Sequence, residues 1–396
     1  MGKAMQPAER FADCADWLHA AAREKTGLSD FGPPDYRVGL TVLLDALDAM
    51  AREGRLSAAG RSIVHGALIG TLVARLYTQE GWRRNPHYRE VGIRRPLIII
   101  GVPRTGTTAL HKLLSVDPQF QGVEFWLSAT PMPRPPRATW PQIPEYQGCV
   151  AGLQAMLAVM PDFAAVHDMT ADTVDECLNV LQQSFVSNMF ASTFDVPDYR
   201  SWWYEQDEGP SYRRYADVLR LVGIDEPGKS WLLKNPGHIW GIDHLLSVFP
   251  DACIVQTHRD PAQAIPSLCS VLRMVQGPAL GNGVQSERLG PIETEKWLRA
   301  IRRTEAARVR YPERFHDVRH SDFHRDPIGV VRGIYRRFDI PLSADSESRM
   351  RDWLANQPPE QKGGHRYTAE EFGVTAGQLR RDFADYIARY RLTESG

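Results

Sequence analysis

Residues 96–114 read "PLIIIGVPRTGTTALHKLL". An apolar run from Leu97 to Ile100 passes through Gly101 into a Pro-Arg-Thr-Gly turn. Two threonines follow, then a stretch with apolar residues at helical steps. The pattern predicts a strand, an anion-cradling loop and a helix, with the glycines spaced as in the Walker loop G-x-x-x-x-G-K-[ST]. Gly106 would let the backbone approach an anion closely, and the helix start behind it offers free N–H groups. Thr107, however, occupies the position of the Walker lysine. The cation is Arg104, whose guanidinium fork suits phosphate or sulfate oxygens.

A nucleotide triphosphatase would also need an apolar strand ending in the aspartate that orients Mg²⁺. None is found; "CIVQTHRD" (253–260) runs out in Thr, His and Arg. The expectation is an anion site without a metal. Two further stretches strengthen it. In "CIVQTHRDPAQAIPSLCSV", Arg259 follows a strand, and Ser267 lies two turns into a helix opened by Asp260 and Pro261. The segment "QKGGHRYTAEEFG" (361–373) is a glycine-rich basic loop, followed by a capping-box pattern from Thr368 to Glu371.

Around these motifs, short apolar runs alternate with helical patterns from residue 96 onwards. Strands are predicted at 97–100, 230–233, 253–257 and 315–320, with helices at 106–115, 239–248, 260–276 and 327–338. Such alternation argues for an α/β fold with a central parallel sheet covered on both faces, in which ligands sit at the carboxyl ends of strands. Residues 1–95 read as a helical region packed on the main domain, its third helix opened by Ser57 as an N-cap. Residues 96–396 form that main domain. Within it, about 130–228 is a helical insertion over the cleft, including long patterns such as "VDECLNVLQQSFVSNMFAS" (174–192).

Composition narrows the function classes. The net charge is −1, so no global field draws the chain to nucleic acid or an anionic membrane. Five scattered cysteines have neither zinc nor redox spacing, which suits reduced thiols in the cytoplasm. The N-terminus has no apolar signal segment, and Gln6 stands where a myristoylation motif wants Ser or Thr. No window approaches the roughly 18 apolar residues of a membrane span.

Taken together, the motifs resemble the sulfotransferases. "VPRTGTT" is similar to their 5′-phosphosulfate loop, P-K-S-G-T-T, and "RDPAQAIPS" to their 3′-phosphate motif. "VRHSDFHRDP" resembles their Y-E-D-L…D-P segment and "QKGGHR" their late R-K-G loop, in the family's order. "KNPGH" (234–238), the helical insertion and the N-terminal helices resemble most a bacterial branch with a K-x-P-x-H motif. The similarity covers roughly residues 90–375. It implies a P-loop-like three-layer fold and 3′-phosphoadenosine 5′-phosphosulfate (PAPS) as sulfuryl donor. Pro103, Arg104, Thr105, Gly106, Thr107 and Thr108 would hold the 5′-phosphosulfate, and Arg259 and Ser267 the 3′-phosphate, together with Lys362 and Gly363. Arg104 replaces the usual lysine, and Ala109 stands where many members carry an adenine-stacking tryptophan. Gln361 replaces the first arginine of R-K-G, a duty His365 and Arg366 are expected to take over.

Sulfuryl transfer to an alcohol needs a base for the acceptor hydroxyl and cations for the leaving phosphate, with positioning and electrostatics supplying the rate. Arg104 and Lys234 are the expected cations. His238, at a helix start that would hold the imidazole neutral, is the preferred base, with Glu124 as its main rival. His167, Asp168, His111, Asp175 and Glu176 are further candidates. Of these, Asp175 and Glu176 read better as carboxylates complementing a helix dipole, and His111 as a packing residue. Aromatic residues of the insertion, among them Phe185, Phe190, Phe194, Tyr199 and Trp202 to Tyr204, either line a greasy pocket or form core. The expected acceptor is a bulky hydrophobic alcohol of lipid, polyketide or isoprenoid type. A small-molecule kinase and a non-catalytic nucleotide-binding protein are the alternatives.

Overall fold

The structure is a computed structural model that describes residues 6–159, 169–357 and 367–392. Its centre is a five-stranded, all-parallel sheet in the order β2-β3-β1-β4-β5. The strands are β1 (Leu97–Gly101), β2 (Phe120–Gln121), β3 (Ser230–Lys234), β4 (Cys253–His258) and β5 (Phe315–Arg319). Four of them coincide with the apolar runs to within a residue. The fifth, β2, has only two residues and carries no pattern to read.

β1 is buried on both faces, so its apolar residues run without a polar break. Side-chain alternation then divides them between two cores. Ile98 and Ile100 pack on one side with Leu233, Ile254 and residues of the N-terminal helices and the insertion. Leu97 and Ile99 pack on the other with Leu110, Leu114, Val331 and Met350.

The N-terminal helices Ala15–Thr26, Tyr36–Arg52 and Gly60–Arg84 share the first core with the insertion. The approach is close, because a Cβ on Gly39 would stand 2.3 Å from the Phe185 carbonyl oxygen. Arg75, almost wholly buried, donates to the carbonyls of Phe31 and Pro33 on one side and of Gln183, in the insertion, on the other. Ser57 is not an N-cap: its hydroxyl donates to Pro278 O at 2.7 Å, and the third helix starts behind Ala59.

The insertion is helical but more broken than its sequence suggests. The pattern over 174–192 resolves into a single turn at Leu178–Leu181, a 3₁₀ turn at Gln182–Ser184 and the helix Asn188–Thr193. Phe185 breaks it by adopting a left-handed φ of 54°. The ring so turned stacks on Phe190 at 5.4 Å, and packing outweighs local periodicity.

Candidate active site

The loop after β1 occupies the carboxyl end of the central strand. Gly101 is forced by its surroundings: its φ is 148°, and a Cβ there would meet Thr257 Oγ1 at 2.6 Å. Thr105 closes the turn, its hydroxyl lying 2.7 Å from Val102 O and 2.5 Å from Thr257 Oγ1. Gly106 has a φ of 93° and leads into the helix Thr107–Ser115, whose first N–H groups head the loop. Arg104 is held at a φ of 69°, a conformation that costs a non-glycine residue about 1–3 kcal/mol and that gathers at ligand sites.

Two groups of side chains converge here. In the first, Arg104 Nε donates to Ser267 Oγ at 3.1 Å, and Arg259 Nη1 donates to the Arg104 carbonyl at 3.1 Å. The residues expected at the 3′-phosphate therefore lie against the loop itself, with Arg104 in contact with both Ser267 and Arg259. Burial lowers the pKa of Arg104 from its ordinary value. The neighbour that sequence reading missed is His320, whose Cδ2 would lie 3.3 Å from a Cβ on Gly106. Burial first, then Arg259, His324 and Arg104, push its pKa down to about 3. His320 stands in "VRHSDFHRDP", so the motif that marked the region contained it.

In the second group, Lys234 ends β3, with only 1% of its surface exposed. Its ammonium donates to Thr108 Oγ1 at 3.3 Å and to the Glu176 carboxylate. Thr108, Lys234, His111 and Asp175 line a narrow cavity with the apolar side chains of Phe125, Met169 and Val174. Burial raises the pKa of Asp175. His111 is enclosed, and burial together with Lys234 pushes it down to about 3.

The two preferred bases lie elsewhere. His238 sits in the 3₁₀ turn Pro236–Ile239 and is fully buried, its ring centroid 5.6 Å from that of Tyr212 and 5.8 Å from that of Tyr215. Its Nδ1 shares a hydrogen bond of 2.9 Å with the Tyr212 hydroxyl. Burial, not a helix end, pushes its pKa down to about 3. An enclosed, weakly basic imidazole does not suit a group that must touch the acceptor hydroxyl. Glu124 precedes the short helix Phe125–Ala129 without a side-chain capping bond, and its carboxylate accepts from Arg134 Nε at 3.1 Å in a partly buried cluster with Glu226. Its charge is already paired. Of the insertion aromatics, Phe185, Phe190, Phe194, Tyr199 and Trp203 are core.

Lys362, Gly363, His365 and Arg366, with Gln361, lie outside the described residues, as do His167 and Asp168. None of the five cysteines is paired. Among the described residues, no three metal-binding side chains are grouped and no helix is long and apolar enough to cross a membrane.

The whole arrangement has relatives. The crystal structure of sulfotransferase STF1 from Mycobacterium tuberculosis superposes with a TM-score of 0.85 at 36% identity, over 95% of this chain and 100% of that one. Sulfotransferase STF9 from Mycobacterium avium gives a TM-score of 0.85 at 29% identity, over 96% and 98%. The omega-hydroxy-beta-dihydromenaquinone-9 sulfotransferase Stf3 of Mycobacterium bovis is 24% identical over 287 residues, 70% of this chain and 71% of that protein. A profile of the sulfotransferase family matches residues 96–344, and the chain belongs to that family as a sulfotransferase enzyme.

Proposed function

We propose that the protein transfers the sulfuryl group of PAPS to the hydroxyl of a bulky hydrophobic alcohol. The observation that carries this reading is the line from Thr108 through Lys234 to Glu176, which joins the anion loop to a carboxylate. The residues present fit the donor. The loop N–H groups, Thr107 and Thr108 would hold its 5′-phosphosulfate, and Arg259 and Ser267 its 3′-phosphate, with Arg104 between them.

The donor supplies an activated sulfuryl group; the chain supplies charge and position. Glu176 is the base in this reading, in place of His238 or Glu124. It takes the acceptor's proton as the acceptor oxygen bonds to sulfur and the bond from sulfur to the 5′-phosphate oxygen breaks. Lys234, Arg104 and the loop donors stabilise the departing phosphate, an electrostatic contribution pre-organised by burial. The ion pair has a second use: a bound phosphate competes for Lys234 and so frees Glu176 as a base.

Support for a hydrophobic acceptor comes from Stf3, whose name gives a hydroxylated menaquinone as its substrate. Calorimetric titration tests the donor. Adenosine 3′,5′-bisphosphate should bind without metal and ATP with Mg²⁺ far more weakly. Arg259→Ala should weaken the bisphosphate far more than adenosine 5′-phosphate. Preferential binding of Mg–ATP would favour a kinase instead.

A further inference from the structure

Arg259 stands between two residues that both turn away from the cleft. On its amino side, His258 ends β4 fully buried. Its Nδ1 lies 2.9 Å from the Tyr386 hydroxyl, its Nε2 lies 2.9 Å from Asp317 Oδ1, and its ring stacks on Tyr390 at 3.7 Å. On its carboxyl side, Asp260 caps the helix Pro261–Leu280 by accepting from the Ala262 N–H at 2.9 Å. The other Asp260 oxygen accepts from Arg380 Nε at 3.2 Å and Nη2 at 3.0 Å. Arg380, Tyr386 and Tyr390 all belong to the last two helices, Ala376–Asp382 and Ala384–Tyr390.

The geometry points to the C-terminal helix pair as a positioning element of the donor site, acting through Arg380–Asp260 and Tyr386–His258 to fix the turn that carries Arg259. This inference rests on the reading of Arg259 as the 3′-phosphate ligand. An arginine pairs with a phosphate through a planar fork, so its backbone must be held to within about 0.5 Å for both bonds to form. A one-residue link between a strand end and a helix cap is where that placement can slip. Both flanks are buried, with Asp260 4% exposed, and both are tied to the same helices. Removing Arg380 leaves the Asp260 carboxylate with its capping bond alone, so the cap and the turn loosen together. Arg380, Tyr386 and Asp260 would not touch the donor; they act on it through Arg259.

The test is calorimetry on the full chain with two probes, adenosine 3′,5′-bisphosphate and adenosine 5′-phosphate. Arg380→Ala should weaken the bisphosphate about five- to tenfold and leave the 5′-phosphate within about twofold, with Arg380→Lys recovering part of the loss. Tyr386→Phe keeps the ring and removes only the hydroxyl, and it should act in the same direction if Arg380→Ala proves unstable. The double variant Arg259→Ala with Arg380→Ala should bind the bisphosphate no more weakly than Arg259→Ala alone, because the second residue works through the first. If Arg259→Ala discriminates between the probes while Arg380→Ala and Tyr386→Phe do not, the helix pair is structural and the inference is overturned. Failure of Arg259→Ala to discriminate would overturn the 3′-phosphate assignment, and the inference with it.

Discussion

The Lys234 ammonium donates at once to Thr108 of the anion loop and to Glu176, a residue 58 positions away in the chain. Both partners share one buried cation, and in the proposed reading an anion in the loop would draw it away from Glu176. Glu176→Gln keeps the shape and a hydrogen-bonding oxygen but removes the base. Its kcat is expected to fall roughly a hundredfold or more, while calorimetry finds bisphosphate affinity within about threefold of the parent. Asp175→Asn should retain most of kcat. The reverse ranking of the two variants would move the base to Asp175.

His238→Ala is expected to behave as a core truncation. It empties space between Tyr212 and Tyr215 and leaves the Tyr212 hydroxyl without its partner. Denaturant unfolding should lose about 2–4 kcal/mol, and kcat per folded molecule should stay within a few-fold. A kcat reduced a hundredfold at unchanged stability would restore His238 to the chemistry.

Glu208 provides a pH-dependent measure of stability. Its carboxyl is enclosed, accepts a hydrogen bond from Trp203 Nε1 at 2.9 Å, and is pushed up to about 7 by burial. The folded state therefore favours the protonated form. Below the unfolded-state pKa of about 4.5 the group costs nothing, and the cost grows from there until pH passes 7. Glu208→Gln should therefore gain Tm relative to the parent at pH 8 compared with pH 5. A difference in Tm that is the same at both pH values would contradict the buried, protonated carboxyl.

Two glycines should respond in opposite ways to alanine. Gly106 has a φ of 93° and lies against His320, so Gly106→Ala strains the loop and should weaken bisphosphate binding at least tenfold, about 1.4 kcal/mol or more. Gly66 lies inside the helix Gly60–Arg84 with open space where a Cβ would go. Gly66→Ala should stabilise by about 0.5–1 kcal/mol without touching activity, read from denaturant midpoints. Equal effects at the two positions would mean that the loop tolerates a side chain.

Much of this architecture was legible because it is local. The strand runs, the glycine loop and the Asp260–Pro261 helix start each depend on residues within a few positions of one another, and each stands where the pattern placed it. That Arg104, Arg259 and Ser267 would come together was readable because each sits at a strand end or in the helix that follows it. Pairings across the chain were not. Nothing near Glu176 announces Lys234, and its carboxylate resembles any acidic residue before a helix. His238 had the spacing of a helix-start histidine, and only the packing of Tyr212 and Tyr215 encloses it. The helix over 174–192 failed for the same reason, because Phe185 follows Phe190 and not its own neighbours in sequence.

The central position of β1 also bears on how the molecule forms. Leu97 pairs with Leu232 on one side and with Cys253 on the other, and the entire insertion separates it from both. The strand that carries the anion loop therefore has no neighbour in the sheet until most of the chain is available. Long-range parallel pairing of this kind slows the search for the native state, since loop closure must be completed before the contacts reward it. The protein should acquire its ability to bind adenosine 3′,5′-bisphosphate late in refolding, after most helical signal has returned. Until then, the apolar residues of β1 are exposed in a partly formed sheet, and that interval is when aggregation should compete most strongly with productive folding.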